Sequence, residues 1–224
     1  MQMRHELKHI INHVDHEMLT HRLSKLFPRD EHAGAHGEYR VRSLYFDTPG
    51  DHALMDKING VDRREKFRIR YYNDDTGFIR LEKKIKQNGL CAKKSAVLTA
   101  EQTMQIINGD ILWMRESGEA LLVELYSKMQ GRGLRPKTIV EYIRKPFTFP
   151  AGNVRITLDR EIRTGLGSVD FLSPELPLLG TFEAYGVLEV KYDRFIPDLV
   201  VQAIQVGNRR RTAFSKYAIC RKYD

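Results

Sequence analysis

The residues that suggest chemistry in this chain recur in alternation. Along a strand, residues i, i+2 and i+4 share a face. On that spacing Lys66, Arg68 and Arg70 fall opposite Phe67, Ile69 and Tyr71. The same parity separates Glu82, Lys84 and Lys86 from Leu81, Lys83 and Ile85, and Tyr142 and Arg144 from Ile143. It separates Arg155, Thr157 and Asp159 from Val154, Ile156 and Leu158, and Glu189 and Lys191 from Leu188, Val190 and Tyr192. At the N-terminus Arg4, Glu6 and Lys8 oppose Leu7 and, less cleanly, His5 and His9. One such strand would be an ordinary amphipathic strand with its charged face in water. Six of them, with polar faces built almost wholly of Arg, Lys and Glu, are less ordinary. If the sheet curls so that these faces meet, like charges repel in a partly desolvated space. A polyanion, a metal and a few carboxylates would offset that repulsion. Arginine forks and lysine point charges suit phosphate oxygens. A carboxylate among them suits a divalent metal with oxygen ligands. Residue chemistry alone thus points to a tunnel or cleft for phosphate chains plus a metal.

Composition narrows the alternatives. The 224 residues carry 37 Lys and Arg against 29 Asp and Glu, a formal charge of +8, as expected for a polyanionic partner. The apolar fraction of 42% supports a real core and excludes wholesale disorder. No stretch approaches the ~18 uncharged apolar residues of a membrane span. The start of the chain has no apolar signal core, so secretion is not expected. With two cysteines, no CxxC pair and no zinc-like Cys/His spacing, a cytoplasmic protein without zinc is expected. The eight histidines lie mostly on polar segments near the N-terminus and read as solvated. Single-strand nucleic-acid binding would want exposed aromatics among the cations. Phe67 and Tyr71 fall on the apolar face instead, so nucleic acid is not expected as a partner.

The elements that must position these residues read as follows. Strands are expected at Tyr39–Asp47, Arg64–Tyr72, Gly77–Lys86, Gly89–Leu98, Thr138–Phe147, Val154–Arg163 and Gly186–Tyr192, beside the N-terminal one. Asn73-Asp74-Asp75-Thr76 is a turn signal joining a hairpin. Helices are expected at Asp15–Phe27, capped by Asp15 and apolar along Met18, Leu19, Leu23, Leu26 and Phe27; at Thr99–Asn108, with a Thr99/Gln102 capping box; at Ser117–Gln130; at Pro197–Val206; and at Ser215–Lys222. A polar loop covers 28–37. Long strands joined by hairpins argue for an antiparallel α+β fold in a single domain, 1–224.

In order along the chain stand Arg4-x-Glu6-x-Lys8, Ser43-Leu44-Tyr45-Phe46-Asp47-Thr48, Arg68-Ile69-Arg70-Tyr71-Tyr72, Leu81-Glu82-x-Lys84-x-Lys86, Tyr142-x-Arg144, Val154-Arg155-Ile156-Thr157-Leu158-Asp159, Leu188-Glu189-Val190-Lys191 and Phe214-Ser215-Lys216-Tyr217. Together they resemble the VTC domain, the polyphosphate polymerase domain of the vacuolar transporter chaperone, which belongs with the CYTH-like triphosphate tunnel metalloenzymes. The resemblance runs from about Arg4 to Tyr223.

The resemblance implies an eight-stranded antiparallel β-tunnel, closed as a barrel, with helices packed outside and a C-terminal helix. It implies transfer of the ATP γ-phosphate to a growing polyphosphate chain with Mn²⁺ or Mg²⁺. Lys8, Arg68, Arg70, Lys84, Arg144, Arg155, Lys191 and Lys216 would contact phosphates, with Tyr142, Ser215 and Lys86 as further binding residues. Glu189 would hold the metal, with Glu6 and Glu82 at neighbouring acidic positions. ATP and inorganic polyphosphate or triphosphate would be the partners. Coupling to a membrane would need another chain. Two departures stand out: Arg4 where related triphosphatases often carry a glutamate, and Ala213 where the polymerase uses a lysine, with Arg209, Arg210 and Arg211 just upstream as substitutes. A tunnel hydrolase of triphosphates and a silent polyphosphate or nucleotide sensor stay open as alternatives. The segment Phe214–Tyr217 is expected to close one end of the tunnel, with Lys216 turned away from the apolar contacts of Phe214, Tyr217 and Ala218, and to offer free N–H groups to a phosphate.

Overall fold

The structure, a computed structural model, describes residues 2–28, 30, 33–34, 37–181, 185–207 and 209–224. Positions 29, 31, 32, 35 and 36 of the expected loop lie outside the described residues. Eight strands form one antiparallel sheet: β1 (His5–Ile11), β2 (Tyr39–Asp47), β3 (Arg64–Tyr72), β4 (Asp75–Gln87), β5 (Leu90–Leu98), β6 (Arg135–Phe149), β7 (Val154–Thr164) and β9 (Gly186–Tyr192). A two-residue strand, β8 (Leu179–Gly180), pairs β7 from the side. The strand order is β1-β9-β7-β6-β2-β3-β4-β5.

The β3–β4 hairpin turns on Asn73 and Asp74, both at positive φ (49° and 60°), a conformation these two residue types tolerate best after glycine. The ladder is an open path, which corrects the expectation of a closed barrel. Its two edge strands meet through one bridge, Arg4 to Cys91, with two backbone hydrogen bonds of 2.8 Å. The remaining rungs are missing, so the sheet curls nearly shut without a continuous seam.

The apolar parities face outward, under the helices. Phe67, Ile69, Leu81 and Leu44 pack with Ile106 of α3 (Ala100–Asn108) and Leu121, Leu122 and Leu125 of α4 (Ala120–Arg132). Ile156, Leu158, Leu188 and Val190 pack with Leu19 and Leu23 of α1 (His13–Leu26) and Val200 of α5 (Asp198–Ala203). A third cluster lies on the concave face. There Val41, Tyr45 and Tyr142 meet Phe214 and Tyr217, so the C-terminal helix α6 (Lys216–Cys220) sits inside the curl.

Several helix details differ from expectation. The α1 cap is Asn12, which accepts from Asp15 N while Asp15 reaches back to Asn12 N. Met18 and Leu26 are exposed, because the buried stripe runs through His16, Leu19 and Leu23. The Thr99/Gln102 capping box is present as expected. A 3₁₀ turn at Leu112–Glu116 and Gly118 at positive φ delay α4 to Ala120. Helix α2 (His52–Ile58) was not anticipated; it follows Asp51, which sits at φ 55°.

Candidate functional site

The charged parities converge. They line one cavity of about 820 Å³ enclosed by the concave face and the C-terminal segment. Its wall carries fifteen Lys and Arg side chains against three glutamates. All fourteen residues nominated from the sequence, from Lys8 to Lys216, are on that wall.

Glu82 is almost fully buried and sits in a cationic pocket. Arg68 donates to it through Nε at 2.7 Å, Lys93 lies at 2.8 Å, and Arg70 lies at 3.8 Å. Burial alone would raise its pKa, but Arg68, Arg70 and Lys93 together hold it well below the carboxylate range. Arg68 also donates to Tyr45 Oη at 2.9 Å; Arg70 donates to Ser43 Oγ at 2.8 Å and Tyr142 Oη at 3.1 Å. The two arginines are thereby fixed in place from β2, β4 and β6.

On the opposite wall Asp159, fully buried, takes a two-pronged fork from Arg144 (both 2.7 Å) and Lys216 Nζ at 2.6 Å. Lys216 is thereby held in the cavity wall and also lies 4.5 Å from the Tyr142 ring. Ser215 caps α6 by accepting from Ala218 N at 3.3 Å, so that N–H is already used rather than offered to a ligand. The C-terminal segment lies against the concave face and lines the cavity. Thr212 N donates to Lys8 O, Lys8 Nζ donates to Phe214 O at 3.3 Å, and Tyr217 Oη donates to Asp47 at 2.5 Å.

The third group joins β1 and β9. Lys84 Nζ lies 2.8 Å from Glu6, while Lys8 and Lys191 lie 3.1 and 2.9 Å from Glu189 and reach Glu6 at 3.6 and 3.9 Å. Burial opposes ionisation of Glu6, but Lys8, Lys84 and Lys191 outweigh it and Glu189's repulsion, bringing the Glu6 pKa to about 2. Glu189 is likewise held well below its usual range, by Lys191 and Lys8 against burial. Both are ionised at neutral pH. Glu82 belongs to a different set of cations. Among the described residues no three His, Cys, Asp or Glu side chains converge to hold a metal. The three nominated glutamates thus do not form one cage. Glu6 and Glu189 alone give a hard oxygen pair, which suits a cation that takes its other ligands from phosphate and water.

Arg155 donates to Tyr39 Oη at 3.0 Å and pairs with Asp30 at 2.7 Å. Its Nε and the neighbouring Thr157 Oγ1 are buried with no partner in the protein. Such orphaned groups on a cavity wall call for a polar occupant. Of the three upstream arginines only Arg211 lines the cavity; Arg209 is held by Asp15 at 2.7 Å. Arg4 is tied to Asp193 at 2.8 Å.

Sequence reading missed Lys57, Arg64, Lys93 and Tyr45 as lining residues. Tyr45 stood in a quoted motif and Arg64 shares the parity of Lys66, so a signal for both was there. Lys57 sits on the unanticipated α2, and nothing in its own neighbourhood marked it.

The VTC domain profile matches residues 3–223. No curated protein matches the sequence. Among solved structures, a Hippeastrum candidate adenylyl cyclase described as having a dominant triphosphatase activity shares the fold. Its TM-score is 0.57 at 14% identity, with 99% of this chain and 96% of that chain covered. A candidate adenylate cyclase from Bacillus halodurans gives a TM-score of 0.50 at 13% identity, covering 91% and 87%. With the profile spanning nearly its whole length and the motif residues gathered on one cationic wall, the chain belongs to the VTC domain family.

Proposed function

We propose that this protein is a polyphosphate polymerase-type phosphotransferase, which binds ATP and polyphosphate in its cationic tunnel and moves the γ-phosphate onto the chain. The observation that carries the reading is the wall of fifteen cations against three glutamates, with buried donors left open on it. A charge excess of that size in a half-closed cavity costs folding energy unless a polyanion offsets it.

In the reaction, a terminal phosphate oxygen of the chain attacks the γ-phosphorus in line. A new P–O–P bond forms as the β–γ bridging P–O bond breaks, and ADP leaves with its electron pair. The nucleophile is already anionic, so no general base is required, and positioning with charge neutralisation supplies the rate. Arg68 and Arg70, braced by Glu82, Ser43 and Tyr142, would present N–H donors to equatorial oxygens; the Arg144 guanidinium and the Lys216 ammonium, braced by Asp159, would do so from the other wall. Glu6 and Glu189 would hold Mn²⁺ or Mg²⁺, whose contribution is further neutralisation of phosphate charge. Their lysines would then turn to the phosphates.

A hydrolase reading is favoured by one observation, the fold shared with a plant protein described as chiefly a triphosphatase. One experiment separates the two. ATP labelled at the γ-position is supplied with each metal and the products are run on a gel. Long polyphosphate supports the proposal; free phosphate alone replaces it with hydrolysis; binding without either product makes the protein a sensor. Among the described residues no helix is long and apolar enough to cross a membrane. The cytoplasmic location is proposed on the two cysteines alone.

A further inference from the structure

The fifteen cations of the cavity are not equivalent. Ten have a carboxylate within 4.0 Å: Glu6, Glu82, Glu189 and Asp159 serve eight of them, while Asp193 and Asp30 hold Arg4 and Arg155. Among the described residues five have none. Arg211 is one, on the C-terminal segment. The other four are Lys57, Arg64, Lys66 and Lys86, and they occupy one flank, where α2, the start of β3 and the end of β4 meet. Arg64 faces Lys86 across the hairpin and Lys66 faces Lys84.

The flank is electrostatically loaded. Lys66 lies 4.7 Å from the Tyr217 ring. The charged groups around it are Lys84 on β4, Arg64 on its own strand, Lys57 on α2 and, on β2, Asp47, whose carboxylate is already taken by Tyr217 and backbone N–H groups. Desolvation first, then Lys84, Arg64 and Lys57, bring the Lys66 ammonium down to about 7. Lys57 is lowered too, by desolvation and then by Arg64, Lys8 and Lys86. Elsewhere in the cavity the fold supplies its own counter-ions. Here, among the described residues, no carboxylate lies within 4.0 Å of any of the four; exposed Asp62 acts on Arg64 and Lys86 only from the rim, and the four cations crowd together in a half-buried recess continuous with the main cavity.

We propose that Lys57, Arg64, Lys66 and Lys86 form a second anion subsite, which takes the phosphates of a linear chain lying beyond those gripped by the carboxylate-braced cations. The inference rests on the tunnel being a phosphate site and adds that it is divided. A braced centre keeps its geometry whether or not ligand is present, as a reacting triphosphate needs. An unbraced flank reaches a low-energy state only when a further anion enters. The flank therefore distinguishes a long chain from a triphosphate.

Calorimetric titration of the full chain tests this, with linear tripolyphosphate and with a linear polyphosphate of roughly a dozen phosphates as probes, so that the chain reaches past the few braced contacts. Wild type is compared with the Lys57→Gln/Lys66→Met double variant. The statistical advantage of a long chain is common to both proteins and cancels in the comparison. Losing charge-assisted contacts should weaken the long chain by about tenfold or more, and tripolyphosphate by less than about threefold. Equal losses for the two probes, or no loss for the long chain, would overturn the subsite. Lys66→Met alone, which removes an uncompensated buried charge and so favours folding, should show the same bias if the double variant does not fold. A wild type that binds neither probe would instead remove the phosphate reading of the tunnel, and the subsite with it.

Discussion

At the scale of single residues, two side chains carry opposite charges into the cavity at opposite costs. Glu189 is ionised because Lys191 and Lys8 overcome its burial. Glu189→Gln keeps the shape and removes the charge. Tripolyphosphate binding should survive, since both lysines stay, while metal-dependent turnover should fall by about tenfold or more as charge neutralisation is lost. Retained turnover with the same metal dependence would move the metal elsewhere. Lys66 is the converse, a cation whose ammonium form the fold disfavours. Its folded pKa of about 7 lies below the usual 10.5, so the unfolded chain binds the extra proton between those values and stability rises with pH across that window. The charge penalty is complete below pH ~7 and gone above pH ~10.5. Lys66→Met should therefore stabilise the ligand-free protein more at pH 6 than at pH 9. Thermal melts in phosphate-free buffer read the difference, and an equal gain at both pH values would show that Lys66 is not held deprotonated. Residue parity made both positions legible from sequence. The long-range partners were not, because Glu6 acquires Lys84 from 78 positions away and Asp159 acquires Lys216 from 57.

At the scale of elements, strands were more legible than helices, for a physical reason. Tyr39–Asp47, Arg64–Tyr72 and Gly186–Tyr192 stand where expected because alternation and turn chemistry are local signals. Helix ends depend on caps and on what the helix docks against. α1 is capped by Asn12 rather than Asp15, and α2, at seven residues, is too short to display a helical period. The five-residue α6 is held by its surroundings: Tyr217 on Asp47, the stacked Tyr45 ring at 5.0 Å, and Lys216 on Asp159. Sequence reading had turned Lys216 away from the packing, whereas Asp159 binds it into the wall. Lys216→Ala should thus do two things. It leaves Asp159 with the Arg144 fork alone, a loss of roughly 1–3 kcal/mol in the ligand-free protein. It also removes a phosphate contact, so the stabilisation added by tripolyphosphate should shrink. Asp159→Asn should cost more, ~3–5 kcal/mol, because it strands two buried cations at once. Melting temperatures with and without tripolyphosphate separate the effects; an undiminished ligand response in Lys216→Ala would confine Lys216 to a structural role.

At the scale of the whole molecule, the unanswered question from sequence was closure. Parity shows which face is charged but not whether the first and last strands of the path meet, because that contact joins Arg4 to Cys91 with no motif at either position. The backbone joins them by two hydrogen bonds, helped by the side-chain contacts of Lys84 and Cys91 with Glu6, where neighbouring strands of the path share ladders of five or more registered pairs. A seam with only two backbone bonds opens at smaller cost than a full ladder. The amides of Arg4 and Cys91 should therefore exchange with solvent much faster than those of Leu7 or Ile69 in the ligand-free protein. A bound phosphate chain alters this, since Lys8 on β1 and Arg68 and Lys84 on β3 and β4 would grip it from opposite sides of the seam. If opening the seam releases the ligand, saturation at 100 times Kd should slow exchange at the two amides by about a hundredfold. Hydrogen exchange followed by NMR, with and without tripolyphosphate, measures both rates. Ladder-like protection of Arg4 and Cys91 without ligand would show the tunnel to be permanently shut. Fast exchange unchanged by saturating ligand would show that the phosphate chain is held by one side of the curl alone.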